Sequence, residues 1–198
     1  MQFFDVVGRR QSIRAFTGAP VEADKLETIL ATARLAPSAG NLQAYQIVVI
    51  SEADTKAALA AAALGQDFVA AAAVVLAFCA NPGRSESTYG QRGASLYCIQ
   101  DATIAACYAQ LAATAQGLAA CWVGAFDEAR VAAALRTPPQ LRPIMLLPIG
   151  YAAETPERPQ RRSLDALVHR GTWQAITAEI PEDHGWAQAA GVQFTRTK

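Results

Sequence analysis

Apolar residues recur along the chain with two different periods, and the period assigns the elements. Over Glu22–Leu35, Leu26, Ile29, Leu30 and Ala33 fall at i, i+3, i+4 and i+7, the spacing of one helical face. Pro37 ends that helix, because the residue before a proline avoids the helical region. A shorter amphipathic helix is predicted over residues 2–10, with Phe3, Val6 and Val7 on one side and Arg9 and Arg10 at its end. Ser12–Phe16 reads as extended, and Gly18 and Pro20 mark a turn. Gln46–Ile50, Ala73–Cys79, Ala120–Val123 and Ile144–Ile149 read as strands, short, apolar and rich in β-branched residues. Ala53–Leu64 is an alanine-rich helix closed by Gly65, and Asp127 caps a helix to Leu135. Asn81–Gly93, with one proline, three glycines and two arginines, reads as a mobile polar loop. The dominant element is Ser95–Gln116, apolar nearly all round and stopped by Gly117. Such a helix must be buried on all faces, so it is either central or buried in an interface between two chains.

The fold class that follows is α+β, or mixed α/β, with a central mixed sheet flanked by helices. With 198 residues, one core is expected rather than two. Residues 1–173 read as a single domain that ends in an extended, Pro-, Glu- and Arg-rich arm, with a short helix near Ser163–Val168. Residues 174–198 carry no assignable pattern.

Composition narrows the functions. The formal net charge is zero, so there is no global attraction to nucleic acid or an anionic membrane. Ala102–Ala115 is too short to span a bilayer, and Ala57–Ala80 is broken by Gly65-Gln66-Asp67. The N-terminus has no basic stretch ahead of an apolar run, so no signal peptide is expected and the protein reads as soluble and cytoplasmic. None of the four cysteines forms a CxxC pair, and both histidines lie far from them in sequence. No metal site is expected, and the cysteines read as small buried thiols in a reducing compartment. Neither a GxGxxG nor a GxxxxGK[ST] loop is present.

Four stretches carry candidate chemistry. In Arg9–Phe16, Ser12 and Arg14 point to one side of an extended segment beside Arg10. Two guanidiniums and a hydroxyl would suit a phosphate, although the arginines would equally complement the carbonyl end of a helix. Pro37-Ser38-Ala39-Gly40-Asn41 has small residues that let backbone approach a flat ring, or else it is ordinary turn chemistry. Trp122-Val123-Gly124-Ala125 ends a strand ahead of a helix, where backbone N–H groups face a ligand or Trp122 and Phe126 simply pack. Arg158–Arg162 is a basic cluster in the arm, either a binding element or solvated surface.

In order and approximate spacing, these stretches resemble the nitroreductase family. The resemblance rests on an RRSIR-like start at Arg9–Arg14, an LAPSAxNxQPW-like loop at Leu35–Tyr45 and a QxFVxxAPVV-like strand entry at Gln66–Val75. It continues through a QDAxxAxxxLxLAAxxxGLxxCWxGAF-like run at Gln100–Phe126, an LPIGYxxExP-like strand end at Leu147–Pro156, and an arm with Arg161 before Leu164. It covers the chain to about Trp173. Gln11 departs from the commoner spacing, and Ala44-Tyr45 stands where Pro-Trp is usual.

The resemblance implies an intertwined homodimer with FMN at its interface and NADH or NADPH as reductant. It places Arg10, Gln11, Ser12 and Arg14 on the phosphate and ribityl chain, with Arg161, or Arg162 as its rival, reaching the same phosphate. Pro37, Ser38, Ala39 and Asn41 would approach the ring from the partner subunit. Trp122, Val123, Gly124 and Ala125 would offer backbone donors on its other side, and Gln66 would meet the pyrimidine edge. A ping-pong reduction of nitroaromatics, quinones or similar small acceptors is implied, with no catalytic acid assigned. A dehydrogenase or dehalogenase of one metabolite, or a non-catalytic flavin module, are the alternative readings. Asn81–Gly93 is expected to shape the acceptor site, with Arg84 and Arg92 as candidates for favouring NADPH.

Overall fold

The computed structural model describes residues 2–173, which fall into two units divided after Thr155. The expectation for 174–198 lies outside the described residues. The first unit holds helices α1 (Phe3–Arg9), α2 (Ala23–Arg34), α3 (Ala53–Ala62), α4 (Phe68–Ala71), α5 (Pro82–Arg92), α6 (Cys98–Ala115) and α7 (Glu128–Leu135). Its strands are β1 (Tyr45–Ile50), β2 (Val74–Ala80), β3 (Ala119–Ala120) and β4 (Arg142–Gly150). The second unit, among its described residues, has one short 3-10 turn at Leu164–Ala166.

The strands lie in the order β1-β2-β4-β3 and pair antiparallel throughout. A parallel component enters where Ser12 bridges to Ala120, ahead of an antiparallel bridge from Phe16 to Ala152. Side chains alternate across the pleat. Val74, Leu76 and Phe78 of β2, with Met145, Leu147 and Ile149 of β4, face a core shared with α6 and α2. Val75, Ala77 and Leu146 face a second core with α3, α4 and α7. Every residue of β2 is buried, as a strand covered on both faces requires.

Alanines pack α6 closely against its neighbours. Ala102, Ala105, Ala106, Ala109 and Ala113 of α6 are completely buried between the sheet and α2. Among the described residues, the remaining face of α6 is not covered. Gln100, Cys107, Tyr108 and Ala115 are exposed along it, with Ile104 and Leu111 half-buried between them. Cys107 therefore departs from the expectation that all four thiols are buried, whereas Cys79, Cys98 and Cys121 meet it. On α1 only Val6 is buried; Phe3, Phe4 and Val7 are exposed. No described helix is long and apolar enough to cross a membrane.

Two expectations are corrected. Asn81–Gly93 is not a loop but helix α5, continued by a π-helical turn over Gly93–Tyr97 into α6. Asn81 accepts the Arg84 N–H at 3.1 Å and Pro82 occupies the first turn, so the helix is started by its cap rather than by an apolar stripe. Tyr89 and Tyr97 pack edge to face at 5.2 Å, and Gly93 sits so close to Ser85 that a Cβ would lie 2.4 Å from its carbonyl oxygen. Ala120–Val123 is likewise not a continuous strand. β3 stops at Ala120 and only Val123 returns, bridging to Leu146.

The start of α2 is tied to the end of β4. The Tyr151 hydroxyl donates to Glu22 at 2.7 Å, and Lys25 donates to Tyr151 at 2.6 Å and to Glu22 at 3.1 Å. The tyrosine hydroxyl, the backbone and then Lys25 hold the Glu22 carboxyl at about 2, below its ordinary 4.5. A lowered carboxyl stabilises the fold above its unfolded value and loses that contribution as pH falls toward the folded value. Tyr151→Phe should therefore lower the urea midpoint at pH 6, and its gap from the wild type should narrow steadily from pH 4.5 downward. A gap independent of pH would show that the contact stabilises through packing alone.

Candidate functional site

The site begins where α1 ends. Residues 12–16 are extended because both of their edges are paired. Ile13 N–H donates to Ala120 at 3.2 Å, Thr17 N–H to Tyr151 at 3.0 Å, and Ala153 N–H returns to Ala15 at 2.9 Å. Glu154 completes the stitching, its Oε1 accepting from the N–H groups of Arg14 and, at 3.0 Å, Ala15. Ile13 is buried, which places Ser12 and Arg14 together on the opposite side of the segment.

Cys121 shows how closely these groups converge. Burial raises the pKa of its thiol; the Arg14 charge, a hydrogen bond with Ser12 and the Arg10 charge all oppose that rise, and Glu154 adds to it. Arg10, Ser12 and Arg14 are therefore brought to one place, as the spacing predicted, with half-buried Gln11 between them. The Arg14 guanidinium lies over the Phe68 ring, 6.0 Å from its centroid. Its Nε is buried without a hydrogen-bond partner among the described residues. A buried, charged N–H left without an acceptor is costly, and an anionic oxygen is the group that satisfies it.

The turn after β3 adjoins this cluster. Trp122 and Gly124 are exposed, and neither backbone N–H pairs within the sheet. Val123 is different. Its N–H donates to Leu146 at 3.0 Å, its carbonyl accepts from Leu146 at 2.9 Å, and its side chain is buried. It anchors the turn and is not available as a backbone donor, which corrects the role expected of it. Gln66 is brought to the same turn, donating to the carbonyls of Ala63 at 2.8 Å and Ala125 at 3.1 Å.

The Pro37–Asn41 loop is held separately, on the α6 face of the sheet. Buried Asp101 accepts from the Ala39 N–H at 2.9 Å and the Ala44 N–H at 3.3 Å. Ser38 Oγ accepts from the Gln43 N–H at 3.0 Å, and the Gln43 amide donates to the Asn41 carbonyl at 2.8 Å and its Oδ1 at 3.0 Å. Gly40 has φ +55°, and a Cβ there would stand 2.4 Å from the Tyr89 hydroxyl. Pro37, Ser38 and Ala39 line a groove of about 490 Å³ with Tyr97, Ile99 and Ile104. Among the described residues, no hydrogen bond or ring contact joins this loop to Arg10, Ser12 or Arg14.

Asp101 and Glu154 were not singled out as functional positions in the sequence. Asp101 carried one signal, being the lone charge in Ser95–Gln116. Arg161 and Arg162 belong to the second unit, where both are exposed and Arg162 donates to the Ala166 carbonyl at 2.7 Å.

Comparison with known proteins places this geometry. The profile described as "Nitroreductase family" matches residues 7–66 and 60–151. The chain is 32% identical over 187 residues to an NADH dehydrogenase of Thermus thermophilus, covering 81% of this chain and 91% of that protein. It is 25% identical over 189 residues to an FMN reductase (NADPH) of Bacillus subtilis, covering 89% and 76% respectively. Among solved structures, the NADPH:FMN oxidoreductase from Vibrio harveyi complexed with NAD+ superposes with a TM-score of 0.81 at 25% identity, over 88% of this chain and 79% of that one.

Asp101→Asn keeps the side chain's shape but turns one acceptor into a donor facing a backbone N–H. We expect a loss of about 1–3 kcal/mol in urea unfolding with an unchanged m-value, and faster hydrogen exchange at Ala39 and Ala44. Unaltered exchange at both amides would remove Asp101 as the clamp of this loop.

Proposed function

The chain belongs to the nitroreductase family, and from that membership we propose that it is an FMN-dependent oxidoreductase. It takes hydride from NADH or NADPH and reduces electron-poor acceptors such as nitroaromatics and quinones. The observation that supports this reading best is the buried, unpartnered Nε of Arg14 beside Ser12 and Arg10.

In this reading Arg10, Ser12 and Arg14 hold the FMN phosphate and Gln11 meets the ribityl chain. Arg161, or Arg162 as its rival, is carried over from the resemblance as a further candidate for the phosphate. Trp122, Gly124 and Ala125 present backbone to one side of the ring, with Gln66 at its pyrimidine edge. Pro37, Ser38, Ala39 and Asn41 serve the ring of a second copy. When bound, FMN supplies the two-electron chemistry, while the protein supplies binding, orientation and a fixed electrostatic field. The donors of the Trp122–Ala125 turn favour negative charge at the ring edge. Glu154 would act indirectly, by holding the backbone of Arg14 and Ala15 from which the guanidinium extends.

The functional unit is a homodimer in this proposal. The uncovered apolar stripe of α6 and the exposed Phe3, Phe4 and Val7 of α1 support it. So does the loop at Pro37–Asn41, which has small, pinned residues yet is separate from the cluster of its own chain. Three buried, unpaired thiols are in keeping with a cytoplasmic protein.

Two measurements test the proposal. The purified protein should show a flavin spectrum that bleaches when NADH or NADPH is added without oxygen. A spectrum that persists would favour a carrier or sensor, and a colourless protein that takes up no FMN would overturn the proposal. Arg14→Ala should raise the Kd for FMN roughly 10- to 100-fold, because a charge-assisted contact of about 1.5–3 kcal/mol is lost. Unchanged affinity would remove Arg14 from the phosphate site.

A further inference from the structure

A second pair of guanidiniums lies outside the Arg10–Arg14 cluster. Arg34 ends α2, Arg84 lies in the first turn of α5, and both line a groove of about 350 Å³ beside edge strand β1. Tyr45, Gln46 and Ile47 also line it, together with Gln43, and no acidic residue does. Neither arginine has a carboxylate within ion-pair distance among the described residues. Arg84 is fixed by its Nε, which donates to the Leu42 carbonyl. Two positive charges lining one groove without a counter-ion repel each other, and an anion between them turns that repulsion into attraction. The side-chain amide of Gln46 adds a neutral donor, while that of Gln43 is spent on Asn41.

The groove is connected to the functional site. Its Gln43 amide bonds directly to Asn41, in the loop proposed to lie against the flavin ring. Arg92, the other arginine of this segment, is committed elsewhere: it donates to the Tyr97 hydroxyl at 3.0 Å and lies over that ring at 5.5 Å.

We propose that Arg34 and Arg84 form a phosphate-monoester site that receives the ribose 2′-phosphate of NADPH, and so give the enzyme a preference for NADPH over NADH. The proposal rests on the reading of the chain as an NAD(P)H oxidoreductase. A monoester carries about −1.5 to −2 charges at neutral pH and three acceptor oxygens, where NADH has only a hydroxyl. A pair of guanidiniums therefore discriminates between the two, whereas a site for the shared pyrophosphate would not.

The test uses the full-length, FMN-loaded protein. Binding of 2′-AMP, adenosine and inorganic phosphate is followed by calorimetry and by the arginine side-chain NMR signals. The kcat/KM for NADPH and NADH is then measured for the wild type and for Arg34→Gln, which removes no hydrogen bond among the described residues. We expect 2′-AMP to bind, to shift the Arg34 and Arg84 signals and to compete with NADPH, while adenosine does neither. Arg34→Gln should lower kcat/KM at least tenfold for NADPH and less than twofold for NADH. Equal losses for both nucleotides, or no binding of 2′-AMP, would overturn the proposal. Inorganic phosphate shifting both signals while the NADPH-to-NADH ratio is unmoved by Arg34→Gln would also overturn it, as a free-anion site only. A protein that binds 2′-AMP at both arginines yet oxidises neither nucleotide would instead overturn the oxidoreductase reading and leave the phosphate site standing.

Discussion

The alanine faces of α6 are the constraint on which the other elements depend. A helix with alanine at six of its nine buried positions lets its neighbours approach its backbone closely on two sides. Here the sheet lies on one side and α2 on the other. That proximity carries the carboxylate of Asp101, at the start of the helix, to the two N–H groups of the Pro37–Asn41 region. It also lets Tyr45, at the start of β1, send its hydroxyl to the Ala33 carbonyl in α2 at 3.3 Å. Larger side chains on α6 would push both neighbours outward, and cores yield poorly to added volume. The loop geometry is thus a consequence of helix packing.

The sheet then divides the labour between its faces. On one face α6 and α2 hold the loop. On the other, α4 brings Phe68 under the Arg14 guanidinium, Gln66 reaches the Trp122–Ala125 turn, and Cys121 joins the cluster to the same core as Val123 and Leu146. A single chain presents these two surfaces apart. Each is rigid for its own local reasons: paired backbone on both sides of residues 12–16, and a buried carboxylate behind residues 37–44. Preorganised surfaces of this kind lose little conformational freedom when a ligand settles between them.

Much of this was legible in the sequence wherever apolar periodicity and burial coincide. α2 and β2 follow their patterns closely, and the grouping of Arg10, Ser12 and Arg14 follows from alternation along an extended segment with Ile13 turned inward. α5 was not legible for a physical reason. Its order comes from a capping asparagine, a first-turn proline and tyrosine packing across to the next turn, none of which leaves a stripe of apolar residues. Val123 looked like one donor among several because nothing local reveals that Leu146 claims both of its backbone groups. Glu154 and Asp101 act on residues more than fifty positions away, through backbone N–H groups that no motif displays. The pairing of Arg34 with Arg84 is of the same kind: two helix ends that only the tertiary fold makes neighbours.

The uneven burial of the thiols gives the chain a built-in set of reporters. Cys79, whose thiol burial pushes to about 11, and Cys98 and Cys121, raised in the same direction, are shielded from alkylating reagents while the core is closed. Cys107 stands on the open stripe of α6 and meets reagent at once. A single chain with α6 uncovered therefore takes up one maleimide quickly and three more only at the rate at which its core opens. Any surface that comes to rest on α6 withdraws the first of these as well. Mass spectrometry of a timed alkylation thus separates coverage of the helix from unfolding of the chain, with no mutation introduced.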